Sequence, residues 1–81
     1  MKHEIKTRVE YYGEFKKSRG YGYIVTAVYK GDQTGTYYHD IKAIEKPKLD
    51  DTVLDFDKRG VDYYTHADEL HGVKFDELVK V

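Results

Sequence analysis

The chain has 81 residues, no cysteine and a formal charge of −1 at pH 7. That length holds one small core, so a second lobe and a deep catalytic pocket are not expected, and without thiols there is neither a disulfide frame nor a thiolate metal site. No apolar stretch reaches the length of a membrane span, and the opening MKHEIKTRVE lacks the hydrophobic stretch of a signal peptide; the expectation is a single cytoplasmic domain over 1–81 with no membrane partner.

The first segment alternates with period two. His3, Ile5, Thr7, Val9 and Tyr11 fall on one side, and Lys2, Glu4, Lys6, Arg8 and Glu10 on the other. This predicts a half-buried strand over residues 2–11. Gly13 breaks it, and Phe15 anchors the basic loop that follows. Tyr21 to Lys30 is apolar on both faces and rich in β-branched and aromatic residues, which predicts a central strand. GDQTG then supplies a hairpin loop. Thr36 to Glu45 places Tyr37, His39, Ile41 and Ala43 on one face, and Pro47 ends the segment.

Further on, Thr52 to Asp57 predicts a shorter strand with Leu54 and Phe56 inward, and VDYY after Gly60 predicts another. THADELHG reads as one helical turn, with Thr65 as cap and Gly72 as its end. In VKFDELVKV, Val73, Phe75, Val79 and Val81 suit a strand, while Phe75, Leu78 and Val79 suit a short helix; the strand is preferred. The sum is a mostly β chain: a small five- to six-stranded antiparallel barrel, OB-like or SH3-like, with one short helical turn. Closure removes the exposed edges that a tiny sheet manages badly.

The candidate functional site lies around SRGYGYI. Tyr21 and Tyr23 are two apart, so on a strand both rings project from one face. Gly20 and Gly22 permit close approach, and Lys16, Lys17 and Arg19 precede them. Stacking rings beside cations is the chemistry of single-stranded nucleic-acid binding, where rings take bases and cations take phosphates. Tyr37 and His39 extend the ring set if the hairpin brings them to the same face. No cofactor is called for.

At this point the chain resembles the cold-shock domain family. Gly20-Tyr21-Gly22-Tyr23-Ile24 matches its first aromatic motif, Tyr37-Tyr38-His39 its second, and KLDDTVLDF its following strand, over roughly residues 9–60. The resemblance implies a five-stranded OB-like barrel that binds single-stranded RNA or DNA. Two positions differ from the family pattern. Phe15 or Tyr12 stands in for an exposed tryptophan, and Asp40 occupies an aromatic position.

A second reading starts from charge. Residues 1–48 carry ten Lys/Arg and six Asp/Glu, a balance of +4; residues 49–81 carry four and nine, a balance of −5. Asp50, Asp51, Asp55, Asp57 and Asp62 would then form an acidic edge steered toward a larger protein with a basic cleft, with exposed tyrosines as anchors. Phage-encoded anti-defence proteins, which act as inhibitors or regulators, have this size and character. His66 and His71 are five apart, which is not the helical metal-pair spacing, so HADELH reads as a polar turn and no metal site is assigned. Ser18 is the only serine and lacks the glycine-flanked elbow of a nucleophile, so no catalytic residue is assigned and the chain reads as a binding protein rather than an enzyme.

Overall fold

The computed structural model describes residues 1–31, 33–45 and 66–81. Within them, five strands form one antiparallel sheet: β1 (Arg8–Tyr11), β2 (Gly22–Lys30), β3 (Tyr37–Ala43), β4 (Glu69–Lys74) and β5 (Leu78–Lys80), in the order β4-β3-β2-β1-β5. The central position expected for Tyr21–Lys30 is where β2 lies. The β2–β3 hairpin is as expected, running in register from Tyr23↔Ala43 to Lys30↔Tyr37. Among the described residues β4 and β5 are the two ends of the sheet, and no pairing closes it into a barrel. No helix among them is long and apolar enough to cross a membrane.

Three local expectations are corrected. The first strand is shorter than 2–11, because Lys6 adopts a left-handed φ of 73° in a turn closed by Thr7 N–H to the Glu4 carbonyl (3.1 Å). That turn takes Ile5 out of the alternation and leaves it exposed. Of the region read as a helical turn, THADELHG, the part from Glu69 on lies in β4 instead, and Thr65, its expected cap, lies outside the described residues. The helical turns among the described residues are 3-10 turns at Lys16–Ser18 and Phe75–Glu77, and the second interrupts the strand expected over VKFDELVKV. The strands read at Thr52–Asp57 and in VDYY lie outside the described residues.

One face of the sheet forms the core: Val9 and Tyr11 from β1, Tyr23 and Val25 from β2, Ile41 and Ala43 from β3, Leu70 and Val73 from β4, and Leu78 from β5. Two bulges keep that face apolar. Val25 pairs with Ile41, and Ala27 with Asp40, so Thr26 is an extra residue. Its insertion shifts the alternation by one, and Val28, rather than Ala27, packs on the core. On the other side of β3, His39 pairs with Val73 and Ile41 with Leu70, leaving His71 and Gly72 opposite Asp40. Gly72 takes a left-handed φ of 68° there.

Asp40 sits between the two bulges and holds both. Its carboxylate Oδ1 accepts from the Tyr29 hydroxyl (3.1 Å) and the Gly72 amide (3.4 Å), with His71 Nδ1 at 3.3 Å. Its carbonyl accepts from the Thr26 hydroxyl (3.1 Å). A phenylalanine at position 40 would keep the carbonyl that Thr26 uses but has no side-chain acceptor for Tyr29, Gly72 and His71, which is a structural reason for the carboxylate.

The buried tyrosines carry polar handles into the core. The Tyr23 hydroxyl donates to the Ala67 carbonyl (2.8 Å), and the Tyr11 hydroxyl accepts from the Phe15 amide (3.3 Å). Tyr11 also fills the space beside Gly13, where an added Cβ would lie 2.2 Å from the hydroxyl oxygen. His39 is fully buried and joins three segments. Its Nδ1 is 2.8 Å from the Val73 carbonyl, and its Nε2 is 2.9 Å from the His3 amide nitrogen. A carbonyl only accepts and an amide only donates, so Nδ1 carries the proton and Nε2 accepts. His3 in turn stacks on Phe75 at 4.4 Å, tying the N-terminal arm down.

Candidate nucleic-acid interface

The structure divides the sequence-derived site into an exposed loop and a buried remainder. Lys16, Lys17 and Arg19 are exposed on and beside the first 3-10 turn. Tyr21 is 42% exposed. Tyr23 and His39 are 0% exposed, so neither presents a ring face to a ligand. Tyr37 is half-buried, with Lys2 Nζ at 5.2 Å and Lys30 Nζ at 5.8 Å from its ring centroid. It pairs with Lys30 at the far end of the hairpin from Tyr21, about 25 Å away at the rise of an extended strand. The contiguous patch of four rings expected from residues 21, 23, 37 and 39 therefore does not form. Asp50, Asp51, Asp55, Asp57 and Asp62 lie outside the described residues.

What remains together is compact and well braced. The loop folds through Ser18 N–H to the Phe15 carbonyl (3.0 Å), Arg19 N–H to the Lys16 carbonyl (3.3 Å) and Gly20 N–H to the Tyr11 carbonyl (2.8 Å). Ser18 is buried, and its hydroxyl accepts from the Ala67 amide (3.2 Å), pinning the basic turn to the segment before β4. Arg19 Nε donates to the Gly13 carbonyl, which fixes the guanidinium at the rim. Lys16 and Arg19 have no carboxylate partner among the described residues.

Tyr21 lies flat on His66, with centroids 4.2 Å apart and planes 14° from parallel. His66 is buried, its Nε2 is 3.3 Å from the Glu45 carbonyl oxygen, and its ring edge meets Tyr23. One face of Tyr21 is thus backed by an imidazole held in the core. A cleft of about 290 Å³ opens here, lined by Gly20, Tyr21, Gly22, Ile44, Glu45 and His66. A second cleft adjoins the other side of the turn, where Phe15, Lys16 and Lys17 face Ala67 and Leu70. Gly20 has a left-handed φ of 83°, and a Cβ placed on it would meet nothing within 4 Å. The glycine beside Tyr21 thus allows the turn and leaves the approach to the ring open.

From the sequence His66 belongs only to a polar turn, whereas in the fold it is buried. It lies 45 positions from Tyr21, and no local pattern connects the two. The pair is made by the fold, where the residues entering β4 cross the start of β2. His71, the other histidine of HADELH, faces Asp40 and Glu69 (3.3 and 3.6 Å). Among the described residues no group of three or more metal-ligating side chains is present.

Among the described residues three phenols are perturbed. The Tyr23 hydroxyl is raised above its ordinary value, chiefly by burial. Tyr29 is raised by desolvation and by its hydrogen bond to Asp40, and Tyr12 by its bond to Glu10 (2.8 Å). For Tyr23 the folded state holds its proton more tightly than the unfolded chain. Its contribution to stability is therefore complete below the unfolded phenol range near pH 10 and is lost as pH rises through the raised value. An alkaline titration should show one phenolate absorbance step arriving late and together with loss of the β-sheet circular dichroism. If every phenol ionises while the sheet signal persists, the hydroxyl of Tyr23 is not buried as described. In comparisons with known proteins, the chain matches no family model, no curated protein and no solved structure.

Proposed function

We propose that the chain is a single-stranded nucleic-acid-binding module whose contact surface is the loop from Phe15 to Tyr21 with its backing residue His66. The observation that carries this reading is Tyr21: one ring face rests on His66, the residue is 42% exposed, and three exposed cations precede it within five residues. A stacked base would continue the Tyr21–His66 column, and Lys16, Lys17 and Arg19 would meet the flanking phosphates. The loop is braced before any ligand arrives, which lowers the ordering cost of binding. Tyr23 supports the segment behind the loop through the Ala67 carbonyl, His39 holds β4 and the N-terminal arm, and neither takes part in contact. The strand order also favours an SH3-like over an OB-like barrel. Among the described residues β1 to β4 follow one another across the sheet in chain order, and β5 returns beside β1 directly after a 3-10 turn.

Binding of a labelled single-stranded octamer, followed by fluorescence anisotropy at 50 and 200 mM salt, tests this. Three phosphate contacts give a log–log slope of about −2, so affinity should fall about 20-fold across that range. Exchanging both Lys16 and Lys17 for glutamine should bring the slope to about −0.7. Absent or salt-independent binding would move the assignment to a protein partner. Capture by a protein carrying a basic cleft would then be the reading to pursue.

A further inference from the structure

Resting on the nucleic-acid reading above, we infer that the cleft between Tyr21 and Glu45 is a pocket for one guanine base. Three features shape it. The Tyr21–His66 stack supplies a flat aromatic wall, and Tyr21 is partly exposed. Gly20 and Gly22 leave the adjoining backbone bare, and a Cβ on Gly22 would stand only 3.3 Å from Ile44 Cδ1. The volume of about 290 Å³ is ample for a single planar base.

A fourth feature is chemical. Among the described residues Glu45 is the one acidic side chain lining this cleft, and its carboxylate has no ion-pair partner among them. Its backbone is held to the stack itself, because His66 Nε2 is 3.3 Å from the Glu45 carbonyl oxygen. The imidazole that supports Tyr21 therefore also fixes where the carboxylate begins. An ionised carboxylate only accepts hydrogen bonds, through two oxygens. It repels phosphate and favours a base edge that offers two parallel donors. Guanine does so through N1–H and the exocyclic N2 amino group. Adenine, cytosine and uracil each pair their donor with an acceptor along the same edge, which a carboxylate meets with repulsion. The lysines on the other side of the turn then receive the phosphates, so base and backbone are read by opposite charges.

Four RNA octamers, uniformly U except for G, A, C or U at the fourth position, test the pocket by competition anisotropy. One bidentate contact gives about tenfold preference for the G octamer. Glu45→Gln places an amide donor against the base and should erase that preference. Its salt slope should stay unchanged, and because Glu45 is exposed the fold does not depend on it. Guanosine monophosphate and adenosine monophosphate complete the set. The guanine form should compete better, and its strength relative to the octamer says whether a free nucleotide or a strand is the ligand. Equal, salt-sensitive affinities for all four octamers would overturn the guanine pocket and leave the binding module standing. No binding by any octamer or nucleotide would overturn both.

Discussion

Replacing His39 by alanine is expected to destabilise the fold by about 3–5 kcal/mol, the sum of a cavity and two stranded polar groups. The ring is wholly buried, its Nδ1–H donates to the Val73 carbonyl, and its Nε2 accepts from the His3 amide. Without it, β4 and the N-terminal arm lose their shared partner in a place water does not reach. Each unpaired group costs about 1–3 kcal/mol. A domain of this size starts from the low end of the 5–15 kcal/mol range, so the variant should be largely unfolded in modest urea. His39→Phe separates the two causes, since it keeps the volume and removes only the hydrogen bonds. It should still lose at least about 1 kcal/mol. Urea midpoints read both values. An alanine variant within about 1 kcal/mol of the parent would show that this buried junction does not hold the arm and β4 together.

Tyr21→Ala should weaken single-strand binding by about 5- to 150-fold, the worth of one stacked base, while the protein stays folded. Tyr23→Phe should do the reverse. It leaves binding intact and costs about 1–3 kcal/mol of stability, because the Ala67 carbonyl loses its donor. These residues are two apart and their rings meet the same histidine, yet one is partly exposed and the other fully buried. The pair of variants, measured by anisotropy and by urea unfolding, therefore tests the division of labour directly. A large binding loss in folded Tyr23→Phe, or none in Tyr21→Ala, would remove Tyr21 as the stacking surface.

The limits of the sequence show in particular residues. Alternation correctly grouped His39, Ile41 and Ala43 on one face of β3, and Val9 with Tyr11 on one face of β1. It did not show that this face was the interior. Period two states which side chains travel together, and it is silent on which side the solvent lies. Tyrosine compounds the ambiguity, since its body suits a core and its hydroxyl suits a surface. Tyr11 and Tyr23 resolve it by finding partners within the fold. Thr26 and Gly72 illustrate a second limit. A single extra residue reverses the facing of everything beyond it, and both bulges are stabilised by Asp40 from a neighbouring strand.

By itself, the sequence determined a mostly β chain, a central strand over Tyr21 to Lys30 hairpinned to the next, and a basic, glycine-flanked loop beside Tyr21. These depend on neighbours in the chain: side-chain alternation, β-branched content and turn residues. The tertiary structure alone decided which rings are buried, that THADELHG feeds a strand, and that His66 lies beneath Tyr21. Those outcomes depend on contacts between positions tens of residues apart, where burial is set by what another strand covers rather than by any local pattern.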